Sequence, residues 1–225
     1  MLVSHFIVLM SVGSDRIGCG PGSTLTAVIE HGIMAPHTER EVLQVYFVTS
    51  NENKVREAEH ILGCSLKQIE LEIKEIQSLD VEEIVAEKAR EAFKKVGETV
   101  LVEDTGLYVA AWNGFPGGLI KWIMKTLGND GLCKILREYD RGTTVKACVG
   151  LCNGSEVKLF TGEVTGTIVD EPRGTSGFGW DPLFQPAGSH RTFAEMSPEE
   201  KNSISHRMIA MKKMRDFLRE TPQFL

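Results

Sequence analysis

The sequence predicts a single mixed-sheet α/β domain, and three observations carry that expectation. Strand and helix patterns alternate through the first half of the regular text, and an antiparallel meander follows them. The composition is that of an ordinary globular chain, 42% hydrophobic and 25% charged over 225 residues. A chain of this length buries roughly 70% of its unfolded surface, so it needs neither disulfides nor metals to fold.

Residues 1–40 stand apart. "MLVSHFIVLM" is apolar but lacks the basic start of a secretion signal, and "GCGPGSTLTAV" after it has no period. Residues 1–40 are therefore read as an N-terminal extension and residues 41–225 as the domain. "VLQVYFVTS" (42–50) is an apolar run closing on small polar residues, the pattern of a buried strand. In "NENKVREAEHILG" (51–63), Val55, Ala58, Ile61 and Leu62 fall at helical spacing and Gly63 is the stop. "KQIELEI" (67–73) alternates as a strand. "DVEEIVAEKAREAFKKVG" (80–97) has an Asp cap, acidic residues in its first turn, basic ones in its last and a terminal Gly, and so predicts a helix. "TVLVED" (99–104) reads as a strand that ends on two carboxylates. After the loop "FPGG" (115–118), short helices are expected near 119–127 and 129–139. "TVKACVGLCN" (144–153) and "EVKLFTGEVTGTIVD" (156–170) pair as antiparallel strands about the turn Asn153-Gly154. "SPEEKNSISHRMIAMKKMRDFLRE" (197–220) closes the chain as one helix with a Ser-Pro-Glu-Glu start.

A net charge of −6 argues against a broad grip on a nucleic acid polymer, while leaving room for a small polyanion in a locally basic cleft. No apolar run approaches the ~18–20 residues of a membrane span, so no membrane partner is expected. The five cysteines are scattered, and Cys148 and Cys152 are too far apart for a CxxC zinc hook. They read as reduced thiols in a reducing compartment, which points to the cytoplasm.

Several stretches hold residues able to do chemistry. "TSNENK" (49–54) lies where a strand hands over to a helix; its backbone N–H groups suit a phosphate and Lys54 can reach the same anion, although a simple helix cap reads the same way. "VEDTG" (102–106) offers Glu103, Asp104 and Thr105. Adjacent strand residues face opposite ways, so one carboxylate serves a cleft as metal ligand or base while the other anchors the loop. Glu75, between a strand and a helix, suits a second Mg²⁺ ligand, since that ion needs only one or two protein carboxylates. In "EEKNSISHR" (199–207), Lys201 and Ser205 share a helical face, and Lys201 with Arg207 can bracket a polyphosphate or a base, with His206 free to hydrogen-bond a purine edge. Lys54, Lys88, Lys121, Lys201 and Arg207 are cations on separate elements of an acidic chain. In "GTSGFGWDPLF" (174–184), Gly174, Gly177 and Gly179 permit positive φ and a close approach of backbone to a ligand. There Phe178 offers a stacking face, and Pro182 holds Asp181 extended.

The order and spacing of "FVTSNENKVRE" (47–57), "LVEDTGLYV" (101–109), "GFPGGLIKW" (114–122), "GTSGFGWDPLFQP" (174–186) and "TFAEMSPEEKNSISHR" (192–207) resemble those of the inosine triphosphate pyrophosphatase (Ham1-like) family, across about residues 44–220. The resemblance implies an elongated mixed α/β fold with two lobes around a nucleotide-binding cleft, a homodimer, and Mg²⁺-dependent hydrolysis of ITP, dITP and XTP to the monophosphate and pyrophosphate. Carried over motif by motif, Thr49, Ser50, Asn51 and Lys54 cradle the phosphates with Lys88. Glu75 holds Mg²⁺, and Asp104 is a metal ligand or the base for the attacking water. Thr105 and Lys121 line the triphosphate site. Phe178, Gly179, Trp180, Asp181, Lys201, His206 and Arg207 hold the base and its sugar. Ser50 stands where many members carry Gly. Cleavage at the α-phosphate is implied by the resemblance alone. A broader housecleaning pyrophosphatase and a catalytically weak nucleotide-binding sensor remain as alternatives.

Overall fold

The computed structural model describes residues 42–225; the extension read as residues 1–40 lies outside them, as does Cys19. A seven-stranded mixed sheet organises the described residues. The strands are β1 (Val42–Val48), β2 (Ser65–Ile69), β3 (Val100–Val109), β4 (Pro116–Gly117), β5 (Gly142–Cys152), β6 (Val157–Ile168) and β7 (Phe184–Pro186). Their order is β2-β1-β3-β5-β6-β7, with β4 pairing β3. β1 is parallel to β2 and β3, and the remaining pairs are antiparallel, so the sheet is mixed as expected.

The helices follow their sequence signals closely. α1 (Glu52–Leu62) starts on Asn51, whose side chain accepts from the N–H groups of Asn53 and Lys54, and stops at Gly63 with φ 72°. α2 (Val81–Val96) starts on Asp80 and stops at Gly97 with φ 75°. α3 (Ile120–Thr126) and α4 (Gly128–Ile135) occupy the stretch expected for two short helices.

Period-2 alternation decides which residue of each strand meets which helix. On one face Phe47, Leu101, Val149 and Leu151 pack against Val55 and Ala58 of α1 and against Ala210, Met211 and Met214 nearer the C-terminus. On the other, Val100, Val102, Cys148 and Cys152 pack against Val81, Val85, Ala89 and Ala92 of α2. A further core gathers Leu107, Val109, Leu132, Leu136, Leu183, Phe184 and Phe193 around the far ends of β3 and β5.

Four expectations need correction. The strand expected at 67–73 begins at Ser65 and ends at Ile69, and residues 70–79 run without a regular ladder. Leu71 and Ile73 still tuck against the α2-side core, so alternation there reports burial on one side and not pairing. β3 does not end on its carboxylates but continues to Val109, because β5 pairs it throughout, Asp104 with Cys148 and Val109 with Thr143. The closing helix is two helices, α5 (Pro198–Ile204) and α6 (His206–Glu220). Ser205 between them is extended (φ −73°, ψ 154°), and its hydroxyl accepts from Met208 N at 3.1 Å to start α6, so Lys201 and Ser205 do not share one helix. Finally, β7 falls inside the loop text, where no strand was expected; Phe184 pairs with Ile168.

α6 lies close on the sheet because Gly162 of β6 carries no side chain. A Cβ there would come 2.1 Å from the carbonyl oxygen of His206 and 2.6 Å from Ala210 N. That contact brings the first turn of α6, with His206 and Arg207, down onto the sheet.

Candidate active site

β1 stops at Val48 and its pairing with β3 ends at Phe47–Leu101, while β3 runs on. The carboxylates therefore emerge mid-strand on β3 but beside the carboxyl end of β1, where parallel α/β sheets leave room for ligands. A cleft of about 420 Å³ opens at this point. Thr49, Ser50, Asn51 and Lys54 line it from the β1–α1 turn, and Thr105 from β3. Glu75 comes from the irregular 70–79 segment, Lys88 from α2, Lys121 from α3, and Phe178, Gly179 and Trp180 from the glycine-rich loop.

Asp104 faces the α2 side and is the focus of the cations. Lys54 Nζ lies 3.4 Å from its Oδ1, Lys88 Nζ 3.7 Å from its Oδ2, and Thr105 N donates to Oδ1 at 2.9 Å. Burial works against the Asp104 charge, but the two lysines and the Thr105 N–H outweigh it and hold the carboxyl below its ordinary value. Lys54 is part-buried, and Glu103 and then Asp104 more than offset the cost of that burial, raising its pKa. Lys88 Nζ sits 2.6 Å from Glu75, so one ammonium bridges the two carboxylates named as metal ligands; Lys121 reaches Glu75 from 3.6 Å. Among the described residues no cluster of three or more His, Cys, Asp or Glu is placed to hold a metal unaided.

Glu103 faces the opposite way and is buried. Lys201, His206, Arg207 and Asp181 are buried too and do not line the open cleft; they lie behind the glycine-rich loop. Asp181 anchors that loop, accepting from Phe178 N and Lys201 Nζ, each at 2.7 Å. Lys201 also pairs with Glu57 at 2.7 Å, and Arg207 pairs with Glu57 through Nη1 and with Glu103 through Nη2 at 2.9 Å. Burial raises the Glu57 carboxyl, and Arg207 and Lys201 outweigh it, leaving it below its usual value. Burial leaves Asp181 above its own despite Lys201. Glu57 escapes a reading of the sequence; its only local signal is the i,i+3 spacing from Lys54 that turns both toward one side of α1.

Trp180 is buried, tilted against His206 with centroids 5.3 Å apart and edge-on to Phe184. Phe178 is the freer ring, with Lys201 Nζ 4.8 Å and Arg207 Cζ 5.5 Å from its centroid. Neither ring nitrogen of His206 has a hydrogen-bond partner, nor does Arg207 Nε. Burial, and then the Arg207, Lys201 and Lys54 charges, hold the His206 imidazole well below its usual 6.5, so it is neutral when folded. Below that value the unfolded chain binds a proton that the folded chain refuses, and stability falls as pH falls. The slope from this one group reaches about 1.4 kcal/mol per pH unit. Thermal unfolding at pH 7.5 and 5.5 should therefore show a steeper acid loss in the wild type than in His206→Phe; equal losses would remove His206 as the cause.

Fold and site together define an α/β protein whose cleft sets a helix N-terminus and lysines beside a paired carboxylate set. More specifically, the chain belongs to the Ham1 family, whose sequence model matches residues 45–217. It is 42% identical over 180 residues to a dITP/XTP pyrophosphatase of Methanopyrus kandleri, covering 78% of this chain and 96% of that protein. It is 45% identical over 184 residues to an inosine triphosphate pyrophosphatase of Yarrowia lipolytica, covering 79% and 97%. A solved Ham1 protein from Coxiella burnetii superposes with a TM-score of 0.69 at 30% identity, covering 78% of this chain and 99% of that one.

Proposed function

We propose that residues 41–225 form a nucleoside triphosphate pyrophosphatase domain that hydrolyses ITP, dITP and XTP to the monophosphate and pyrophosphate, clearing deaminated purines from the nucleotide pool. The observation that carries the reading is the division of labour along the cleft: lysines and a helix N-terminus at one end, and at the other the Phe178 loop, with unpartnered buried donors behind it. The names of the relatives point the same way. Mg²⁺ as cofactor, a homodimer and a cytoplasmic location complete the proposal. In the last respect, no helix among the described residues is long and apolar enough to cross a membrane.

At the phosphate end, the Thr49–Lys54 turn holds the chain of phosphates, with Lys88, Thr105 and Lys121 around it. Glu75 and Asp104 already share a cation, Lys88, at 2.6 and 3.7 Å, which suits a site able to accept a divalent ion. With only two carboxylates at hand, Mg²⁺ would take its other ligands from phosphate oxygens and water, and when bound it would neutralise the charge that builds on the phosphate. Asp104, ionised because of its lysines, orients the attacking water and accepts its proton. Lys54 stabilises the oxygens that gain charge.

At the base end, hypoxanthine and xanthine present a 6-oxo acceptor. Arg207 Nε and one nitrogen of His206 are donors without partners, and a 6-oxo group would satisfy them. Adenine presents a donor there and leaves them unpaired, a heavy cost in a buried site. Asp181 and Lys201 hold the loop so that Phe178 covers the base, with Gly179 and Trp180 completing the wall.

A panel of ITP, XTP, dITP, GTP and ATP with Mg²⁺, followed by pyrophosphate release, tests the reading. Preference for the first three with pyrophosphate as product is expected. Equal turnover of all five would favour a broad housecleaning pyrophosphatase, and no turnover with retained binding would favour a sensor. Phe178→Ala should weaken ITP binding by roughly 1–3 kcal/mol if its ring stacks on the base; an unchanged KM for ITP would make it a core residue only.

A further inference from the structure

We infer that Glu103, the carboxylate turned away from the cleft, is a positioning residue that ties the phosphate end of the site to the base end. The inference rests on the assignment of Lys54 to phosphate and of Arg207 to the base.

The side chain of Glu103 is fully buried and its two oxygens serve two different elements. Oε1 accepts from Arg207 Nη2 of α6 at 2.9 Å. Oε2 lies 2.8 Å from Lys54 Nζ of α1, an ion pair without hydrogen-bond alignment, while that ammonium donates to the Glu103 carbonyl oxygen at 3.1 Å. Strand alternation makes this arrangement possible. Neighbours on β3 face opposite ways, so Asp104 meets the cleft on the α2 side while Glu103 meets α6, and Lys54, at the open edge left by β1, touches both.

The consequence is an unbroken series of contacts of alternating charge. It runs Asp104, Lys54, Glu103, Arg207, Glu57, Lys201, Asp181, and ends on the N–H of Phe178. Glu103 is the link between the half that faces phosphate and the half behind the glycine-rich loop. A base that accepts from Arg207 draws on the guanidinium that Glu103 holds, and Glu103 in turn sets how far Lys54 is held from Asp104. Glu103, Arg207, Lys201 and Asp181 are almost sealed from water, so within that stretch a change in one pair is carried to the next.

The test is Glu103→Gln, which keeps shape and removes charge, assayed for kcat and KM with ITP and ATP and for inhibition by inorganic tripolyphosphate, a probe of the phosphate end that has no base. A residue that only supports the fold would lower stability and scale both nucleotides alike. Positioning predicts that the ITP-to-ATP ratio of kcat/KM falls by about tenfold and that tripolyphosphate inhibition shifts by several-fold, the range of ordinary coupling energies. A ratio within about twofold of the wild type, or an unmoved tripolyphosphate constant, overturns the inference. If the Gln variant does not fold, the same two readouts are taken from Glu103→Asp, which is one methylene short and can hold only one of its two cations. Failure of the wild type itself to distinguish ITP from ATP would overturn the base-site assignment, a result distinguishable from failure of Glu103 to couple the two ends.

Discussion

Asp104→Asn is expected to lower kcat for ITP by about 10²–10⁴-fold while leaving nucleotide binding in place, because it removes the carboxylate to which the proposed function gives the proton of the attacking water. The isosteric amide keeps an oxygen to accept from Thr105 N, which donates to Asp104 Oδ1 at 2.9 Å, so the local turn should survive. The lost negative charge also frees Lys54 and Lys88 for phosphate, so KM should not rise. Single-turnover assays with ITP, alongside equilibrium binding, separate the two quantities. A kcat within a few-fold of the wild type, in a folded variant, would remove Asp104 from the chemistry. The pKa direction adds a sign to the pH profile. The folded carboxyl is depressed, so its charge and its pairing with the lysines are present above the ordinary aspartate value and lost only as pH falls through the lower, folded one. Activity limited by this group should therefore fall only in strongly acid solution.

Arg207→Met should be the most costly single change to stability among the site residues. Arg207 is 1% exposed and its guanidinium lies between Glu57 and Glu103, so its removal leaves two carboxylates competing for Lys201 and Lys54. Breaking a buried pair from one side costs about 3–5 kcal/mol, which in a chain of this size is on the order of a 10 °C loss in Tm. Arg207 is charged at every accessible pH, its pKa driven above the usual arginine value by its two carboxylates against the opposing effect of burial. No titration of the wild type can therefore mimic the variant. Combining it with Glu57→Gln should recover part of the loss, because the two positions share one interaction and do not add. A Tm within about 2 °C of the wild type would show that water or a neighbouring cation replaces the arginine.

The secondary elements that carry their own punctuation were legible before any fold was known. Asn51 and Gly63 bound α1, Asp80 and Gly97 bound α2, and Asn153-Gly154 turns β5 into β6, all as their residue types dictate. The motifs likewise marked Thr49, Ser50, Asn51, Lys54, Glu75, Lys88, Asp104, Thr105, Lys121 and the Phe178 loop, and these residues converge on one cleft. Harder to see were features whose cause is a partner distant in sequence. β3 runs past its carboxylates because β5 pairs with it, and nothing between 99 and 109 announces that. Residues 70–73 alternate like a strand but have no neighbour to pair with once β1 has ended. Ser205 interrupts a run that is helical on both sides, and only its hydroxyl bond to Met208 N marks the restart.

Local order along the chain is thus enough to commit it to a mixed α/β sheet, to cap its helices and to bring phosphate-binding and carboxylate motifs to strand ends. Propensity, capping and period act over a few residues and can be read there. The division of Glu103 and Asp104 between opposite faces follows from strand pitch alone, but their tasks do not. The motifs mark Lys201, His206 and Arg207 for the base and its sugar; the fold buries all three behind the loop and adds what no motif marks, Glu57, which pairs with both Lys201 and Arg207. Charge pairing in a low-dielectric interior depends on which side chains are brought within about 4 Å of one another, and that distance is decided only when α1, α5, α6 and β3 have packed together.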